Sequence, residues 1–212
     1  MHHIYHTEGL ILGSRGYGET GKYYSIFTRD LGMIYASAQG VRKMSSKLRF
    51  VLQDFAYIKI DLVQGKDFWR VTSAQKTNKL EGLSKDSGTF EVFFNIANLL
   101  KRLLAGVEKN EALFIDLIKG LTVLEKIAVK DPARTAPARQ DRSGGVQSGG
   151  DLRNIEVVMV LRILHNLGYI GGNEMLQNLT KSPFEENLIF EVSKSRREVL
   201  HQINKALKET HL

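Results

Sequence analysis

The spacing of apolar residues changes near residue 80, and this change limits the possible folds more than any other feature of the chain. Residues 55–62 have the period-two pattern of a half-buried strand, which predicts that Ile58, Ile60 and Leu62 face inward. From Phe90 onwards, apolar residues recur every three or four positions, which is the period of an amphipathic helix. The sequence therefore predicts an α+β protein whose strands come first and whose helices follow.

The N-terminal part contains strand-like segments separated by turn signals. Asp30–Gly32 is typical of a hairpin connection, and Gln64–Asp67 of a second turn. Five short strands in about 70 residues are typical of a small antiparallel barrel. We predict a five-stranded OB-fold barrel over residues 1–80. An SH3-like barrel fits the number of strands nearly as well and is the alternative at this point. The five segments lie near residues 10–14, 23–29, 33–41, 55–62 and 68–74.

The rest of the chain, residues 81–212, is predicted to form an all-helical domain. Its helical period disappears at about 130–151, a stretch with two prolines, two glycine pairs and no aromatic residue. Such a composition cannot bury enough apolar surface to order the chain. We therefore expect a disordered loop that interrupts the helical domain and need not separate two domains.

Three local signals predict where helices begin and end in this domain. Asn110 is placed to cap the second helix, and Gly168 to end the third. Ser195 with Glu198 has the spacing of a capping box, which predicts that the last helix begins there. The apolar stripe of the first helix is predicted to consist of Phe90, Phe93, Phe94, Ala97, Leu100 and Leu104.

A basic loop follows the third predicted strand. This loop, Gly40–Arg49, reads G-V-R-K-M-S-S-K-L-R and concentrates four cations, while no Asp or Glu occurs between Leu31 and Gln53. Cations and serine hydroxyls beside a strand suit a phosphate backbone. The cations that we predict to contact phosphates are Arg15, Lys22, Arg42, Lys43, Lys47 and Arg49.

The excess positive charge lies almost entirely in the strand-rich part. Residues 1–80 carry 12 Lys+Arg against 6 Asp+Glu, whereas residues 81–212 carry 18 against 17. This asymmetry indicates a polyanionic partner for the first domain, either nucleic acid or an anionic membrane surface. Nucleic acid is favoured because the basic part reads as strands and not as a basic amphipathic helix. We expect no membrane association.

The glycine-rich segment Gly16–Lys22 resembles a phosphate-binding loop only in the spacing of its glycines and lysine. A phosphate-binding loop needs Ser or Thr after its lysine and a long helix directly afterwards. Here Tyr23 follows the lysine, and the next residues are strand-like. We therefore interpret the segment as a connection between the first two barrel strands, and not as the site of a nucleotide-hydrolysing enzyme.

Aromatic residues occur among the basic strands. Proteins that bind single strands stack bases on such rings, which contributes about 1–3 kcal/mol per base. Most aromatic residues of a small barrel serve instead in its core. Tyr35 and Trp69 are our candidates for base stacking, because basic residues lie close to them in the sequence.

No catalytic or metal-binding constellation is readable. The chain has no cysteine, which excludes disulfides, thiolate zinc sites and a cysteine nucleophile. His2, His3 and His6 lie near the start with one carboxylate nearby, so we predict no metal there. The sequence predicts a protein that is not an enzyme, that has no cofactor, and that is cytoplasmic.

With these residues in view, the chain resembles the RecO family of bacterial recombination mediators. The resemblance is clearest in the first 80 residues and thinner in the helical part, where Leu161–Tyr169 is similar to a helix ending in L-x-x-L-G-Y and Asn204–Leu207 to the final helix. The N-terminal motifs are Y-G-E at Tyr17–Glu19, F-T-x-x-x-G at Phe27–Gly32, A-x-G-x-R-x-x-x-S-x-L at Ala38–Leu48 and T-x-A at Thr72–Ala74.

This resemblance implies a mediator of DNA repair and recombination that is not an enzyme. Such a protein binds single- and double-stranded DNA, anneals strands, and helps RecR to load RecA onto strands covered by single-stranded-DNA-binding protein. Many family members carry a four-cysteine zinc ribbon, but residues 170–180 at that place contain no cysteine. From the residues alone, an RNA-binding or ribosome-associated barrel stays open as the alternative.

Overall fold

The structure, a computed structural model, describes residues 3–104, 108–130, 150–171 and 174–209, with the backbone alone described at 128–130 and 186. The predicted loop at about 130–151 lies outside these residues except at its ends. The chain divides into two compact units. One unit combines residues up to Glu81 with Ala97–Phe114, and the other combines Gly82–Ile96 with the residues from Ile115 onwards.

Five strands form a closed barrel in the first unit. Going around the barrel, the strands follow the order β1, β2, β3, β5 and β4. Strands β3 and β5 pair in parallel, and all other neighbours pair antiparallel. This is an OB-fold, so the predicted fold class is confirmed and the SH3-like alternative does not hold. The strands are β1 (Ile4–Tyr17), β2 (Gly21–Thr28), β3 (Gly32–Ala38), β4 (Tyr57–Gln64) and β5 (Trp69–Lys76).

The interior of the barrel is filled by alternate residues of its strands. Ile58, Ile60 and Leu62 on β4 point inward and are almost fully buried, as the alternation predicted. Tyr24 is also buried and donates its hydroxyl to the carbonyl of Leu52 at 3.3 Å. Each such apolar side chain stabilises the fold by about 1.5–3 kcal/mol relative to an exposed position. This packing makes the barrel a rigid support for the side chains on its outer surface.

The segment Ala97–Phe114 packs on the outside of this barrel. The ring of Phe114 lies 5.5 Å from the ring of Phe27 and 6.2 Å from that of Tyr57. Gly32 adopts a positive φ of 69°, and its backbone approaches the backbone of Glu108 so closely that a side chain would collide there. The segment therefore belongs to the same packed unit as the strands.

Two helices follow the barrel. Helix α1 covers Ser87–Leu103 and helix α2 covers Glu111–Lys130. Asn110 caps α2 as predicted, because its Oδ1 accepts a hydrogen bond from the backbone N–H of Leu113 at 2.9 Å. The predicted stripe of α1 is only partly right, since Phe90 and Phe94 are exposed. The buried face of α1 consists of Val92, Phe93, Ile96, Ala97, Leu100 and Leu103.

Three further helices complete the described chain. They are α3 (Gly150–Asn166), α4 (Glu174–Lys181) and α5 (Glu186–Glu209). Gly168 ends the turn after α3 with a positive φ of 78°. The N–H of Gly168 donates to His165 and the N–H of Tyr169 to Leu164, which is the Schellman arrangement expected at a helix end.

The predicted start of the last helix at Ser195 is wrong, because α5 already begins at Glu186. Ser195 lies inside the helix and donates its hydroxyl to the carbonyl of Glu191 at 3.4 Å instead of capping a terminus. Helix α4 was not predicted. None of the helices in the described ranges combines the length and the hydrophobicity that a bilayer span requires.

Candidate nucleic-acid interface

Strands β1, β2 and β3 place a row of aromatic and basic side chains on the outer surface of the barrel. Arg15 on β1 pairs with Tyr23 on β2, and Ser25 on β2 pairs with Tyr35 on β3. Tyr23, Ser25 and Tyr35 alternate with buried residues, so their side chains point away from the core, and Arg15 is exposed beside them. They border a cleft of about 560 Å³, which we call the aromatic cleft. Its lining is Gly13, Ser14, Arg15, Tyr23, Tyr24, Ser25, Tyr35, Phe68 and Lys101.

Exposed aromatic rings are the main feature of this cleft. Tyr35 is 54% exposed although it belongs to a strand of the barrel. The ring of Tyr23 lies 4.5 Å from that of Tyr17 and 5.1 Å from that of Phe68, so the three rings form a row with Tyr23 in the middle. Each ring offers a π-face on which an unpaired base can stack, whatever the identity of the base. The cleft can therefore bind single-stranded nucleic acid without reading its sequence.

Cations surround these rings. The guanidinium of Arg15 lies 5.5 Å from the centre of the Tyr23 ring, within the range of a cation–π interaction. Lys22 donates from Nζ to the hydroxyl of Ser14 at 3.2 Å. Lys101 reaches the same place from helix α1, and its Nζ lies 3.7 Å from the position that a Cβ on Gly13 would occupy. Lys101 thus comes close to β1 at Gly13.

The sequence did not identify Lys101 as a candidate. It lies on a helix in the nearly neutral part of the chain, and its approach to the barrel depends on how Ala97–Phe114 packs in the first unit. Tyr23 and Phe68 were likewise not preferred over Tyr35 and Trp69. Only the strand pairing and the β4–β5 turn bring them to one surface.

The basic loop is attached to the β1–β2 hairpin. The backbone N–H of Arg42 donates to the carbonyl of Thr20 at 2.9 Å, and its guanidinium lies beside Gly16. A short 3-10 helix, Lys47–Phe50, orders the far end of the loop. Arg42, Lys43, Lys47 and Arg49 are all exposed. The structure therefore joins Arg42 to the hairpin that carries Arg15 and Lys22.

None of these cations is neutralised by a carboxylate within the described part of the chain. The ion pairs that lysine and arginine form in this unit involve other residues, namely Arg29 with Glu8 and Glu111, and Lys109 with Asp30 and Glu111. A cation without a partner keeps its full charge for an external anion. On this surface, the cations left for this purpose are Arg15, Lys22, Arg42, Lys43, Lys47, Arg49 and Lys101.

Trp69 lies outside the aromatic cleft. Its half-buried ring packs against the barrel core and meets the ring of Tyr5 edge-on at 5.0 Å. Its carbonyl accepts a hydrogen bond from the hydroxyl of Ser37 at 3.3 Å. These contacts explain its position by packing, and its role in base stacking stays a prediction.

Tyr23 and Tyr24, which line the cleft, have raised pKa values and are neutral at physiological pH. Burial raises the pKa of Tyr24 to about 12, and the negative charge of Asp54 acts in the same direction. Burial also raises the pKa of Tyr23; its contact with Tyr17 adds to this effect and the positive charge of Arg15 opposes it. Neutral rings do not repel a phosphate backbone, so the cations decide the electrostatics of the cleft.

A second cleft, on the outer surface of β1 and β4, has a mixed charge. Its volume is about 490 Å³, and it contains Glu8, Asp61 and Glu111 together with Arg29 and Lys59. These carboxylates make it a poor site for a polyanion. Across the described ranges, no group of three or more His, Asp or Glu side chains is placed to hold a metal ion, and His2 lies outside those ranges.

Comparison with known proteins connects the barrel to DNA repair. Residues 1–79 match the protein family described as Recombination protein O N terminal. The chain is 34% identical over 100 residues to the DNA repair protein RecO of Heliobacterium modesticaldum, a region that covers 47% of this chain and 37% of that protein. The chain is 30% identical over 130 residues to the protein of the same name from Desulfitobacterium hafniense, covering 61% and 46%.

A third relative is the DNA repair protein RecO of Thermoanaerobacter sp., with 25% identity over 126 residues, which is 59% of this chain and 50% of the relative. The chain thus spans about half the length, or less, of the curated relatives that it matches. The family match over residues 1–79 covers the five strands of the barrel and the basic loop.

Proposed function

We propose, from the premise that residues 1–79 form the N-terminal domain of the RecO family, that this protein is a DNA-binding recombination mediator in DNA repair. The observation that carries the proposal is the combination of exposed rings and unpaired cations on one surface of the barrel. The rings of Tyr23, Tyr35 and Phe68 stack on unpaired bases, and the cations neutralise the phosphates on either side.

Strand annealing follows from the same surface. Two complementary strands repel each other through their phosphates, and a protein that neutralises one strand lowers that repulsion. Contacts with backbones and π-faces leave the sequence unread, so any complementary pair is a substrate. We infer that the protein anneals single strands without a nucleotide cofactor, and that it acts with RecR to load RecA. The glycine segment Gly16–Lys22 is part of a β-hairpin, which supports the absence of nucleotide chemistry.

The second unit is suited to bind protein. A groove of about 660 Å³ runs beside α5, and it is lined by Lys194, Arg196 and Arg197 together with Met175 from α4. Lys194 Nζ lies 4.5 Å from the centre of the Phe190 ring, and that ring is 63% exposed. Cations beside an exposed aromatic ring suit a peptide that carries both acidic and apolar residues. We propose this groove as the site for the tail of single-stranded-DNA-binding protein.

The test is a salt titration of DNA binding combined with an annealing assay. Neutralising about four to six phosphates predicts that log affinity for a single strand falls with log salt with a slope of about −3 to −4. Changing Arg42, Lys43, Lys47 and Arg49 together to Ala should flatten the slope by about 3. The loss of affinity should be the same for unrelated DNA sequences.

Two results would contradict the proposal. One is a wild-type slope near zero, and the other is a loop variant that binds and anneals like the wild type. Single-stranded RNA of the same length and base composition provides the comparison for the alternative function, because an RNA-binding barrel would prefer it. Hydrolysis or tight binding of ATP would instead support a nucleotide-hydrolysing enzyme whose site is the Gly16–Lys22 segment.

A further inference from the structure

Two apolar side chains are exposed to solvent next to the cations of the basic loop. Met44 is 84% exposed and Phe50, which directly follows the loop, is 62% exposed. Exposed apolar surface in an ordered loop has no benefit to folding, because burying it would stabilise the protein. Its position beside four cations indicates that it serves the same polyanion as they do.

The guanidinium of Arg49 contacts the side chains of both Met44 and Phe50. Arg49 Nη1 donates to the sulfur of Met44 at 2.8 Å, and its Cζ lies 6.0 Å from the centre of the Phe50 ring. Met44 and Phe50 therefore project from the same point of the loop, although five residues separate them in the sequence. We call this pair the apolar wedge.

The loop that carries the wedge is fixed to the barrel on both sides. Val41 and Leu52 are each only 2% exposed, and they anchor the two ends in the core. Leu48, between the two wedge residues, packs against the same core. Hydrogen bonds from the N–H of Val51 and of Leu52 to the carbonyl of Leu48 hold the 3-10 turn. The basic loop, anchored at both ends, therefore holds the wedge in a defined position at the surface.

We propose that the apolar wedge, Met44 and Phe50, inserts between neighbouring bases of DNA while the surrounding cations hold the phosphates. Met and Phe are among the residues that proteins insert at base steps, and the cost is the unstacking of that step. The cost is lowest at a mismatch, a nick or a duplex end, so the wedge directs the protein to weakened steps. This inference rests on the proposed DNA binding and adds a preference to it.

The experiment compares full-length wild type, M44A/F50A and Phe50→Trp on two duplexes of equal length. One duplex is fully paired, and the other has a single mismatch beside a 2-aminopurine that reports unstacking. The wild type and Phe50→Trp should bind the mismatched duplex about tenfold more tightly and raise its fluorescence. M44A/F50A should bind both duplexes equally, with the same salt slope as the wild type, because no charge has changed.

Tyr169→Ala is the matched control, since that ring is also exposed and belongs to the other unit. It should keep both the preference and the fluorescence change. The inference is overturned if M44A/F50A keeps them too, or if it loses affinity equally for both duplexes. Binding of the wild type, but not of M44A/F50A, to anionic phospholipid vesicles with unchanged DNA behaviour would assign the wedge to membranes and also overturn it. If the wild type binds no DNA, the proposed function itself fails.

Discussion

Arg29 donates a hydrogen bond from Nε to Glu111 Oε1 at 2.9 Å, and Glu111 also lies 3.5 Å from Lys109 Nζ. Arg29 is therefore a cation of the barrel whose charge is already balanced within its own unit. Arg15, on β1, lies over the ring of Tyr23 and has no carboxylate partner in the described chain. Arg15 therefore keeps its charge for an external anion and Arg29 does not, although both count equally in the net charge.

The first prediction compares these two arginines. Arg15→Ala should weaken single-strand binding about threefold to tenfold and flatten the salt slope by about 0.7, since one phosphate contact is lost. Arg29→Ala removes the same formal charge, but it should change affinity less than about twofold and leave the slope unchanged. Both variants are measured by fluorescence anisotropy over a range of salt concentrations. Equal losses in the two variants would show that net charge alone determines binding.

The second prediction concerns acid stability. The hydrogen bond from Arg29, together with the charge of Lys109, holds the pKa of Glu111 below its ordinary value of about 4.3. The folded state therefore binds this proton less readily than the unfolded state. The resulting stabilisation is present above the ordinary pKa and disappears as the pH falls through the lower pKa of the folded protein.

Glu111→Gln should consequently lose less stability than the wild type when the pH is lowered from 6 to about 3. Urea unfolding at a series of pH values measures the effect. Arg29→Ala is the companion variant, because removing the donor should return the pKa of Glu111 towards its ordinary value and flatten the profile in the same way. Parallel profiles for wild type and both variants would mean that the contact does not persist in solution.

The barrel could be predicted from the sequence because each of its signals is local. Alternation in residues 55–62 fixes which side chains of β4 face inward, and Gly32 supplies the positive φ that its turn requires. The start of α5 could not be read in the same way, since Ser195 and Glu198 match a capping box inside a longer helix. Leu188 and Val192 continue the buried stripe towards the N-terminus, and their burial decides where the helix begins.

The candidate site was predictable only in part, because its residues come from distant parts of the chain. The charge of the basic loop is visible in the sequence, and in the structure its four cations are exposed. The position of Lys101 depends on how helix α1 packs, and the pairing of Tyr23 with Arg15 depends on strand register. No local pattern encodes either contact.

The third prediction concerns a buried cation in the second unit. Arg162 is only 4% exposed, and its Nη1 donates to Asp116 Oδ1 at 2.8 Å. Its other nitrogens donate to the carbonyls of Leu179 and Ser182. Its guanidinium also faces the ring of Phe184. The arginine thereby joins α3 to α2 and to the end of α4. Asp116→Ala should destabilise the protein by about 3 kcal/mol, because it leaves a buried charge without its counterion.

The matched control for this prediction is Arg162→Met with Asp116→Leu, which removes both charges and keeps apolar volume. The double variant should be closer to the wild type in stability than Asp116→Ala, as replaced buried ion pairs commonly are. Thermal unfolding followed by circular dichroism measures all three proteins. A loss below about 1 kcal/mol for Asp116→Ala would indicate that water replaces the carboxylate at this partly accessible edge.

The last prediction separates the two proposed binding surfaces. The quadruple Ala variant of the basic loop should lose DNA affinity and keep its affinity for an acidic, apolar peptide that imitates the tail of single-stranded-DNA-binding protein. R196A/R197A should do the reverse, because both arginines line the groove beside α5 in the second unit. The expected loss of peptide affinity is about tenfold, in keeping with two charge-assisted contacts to carboxylates. Isothermal titration calorimetry with the peptide and anisotropy with a single strand give the two affinities independently. A loss of DNA binding in R196A/R197A equal to that in the loop variant would mean that the nearly neutral second unit takes part in DNA recognition, and the assignment of DNA binding to the barrel would have to be given up.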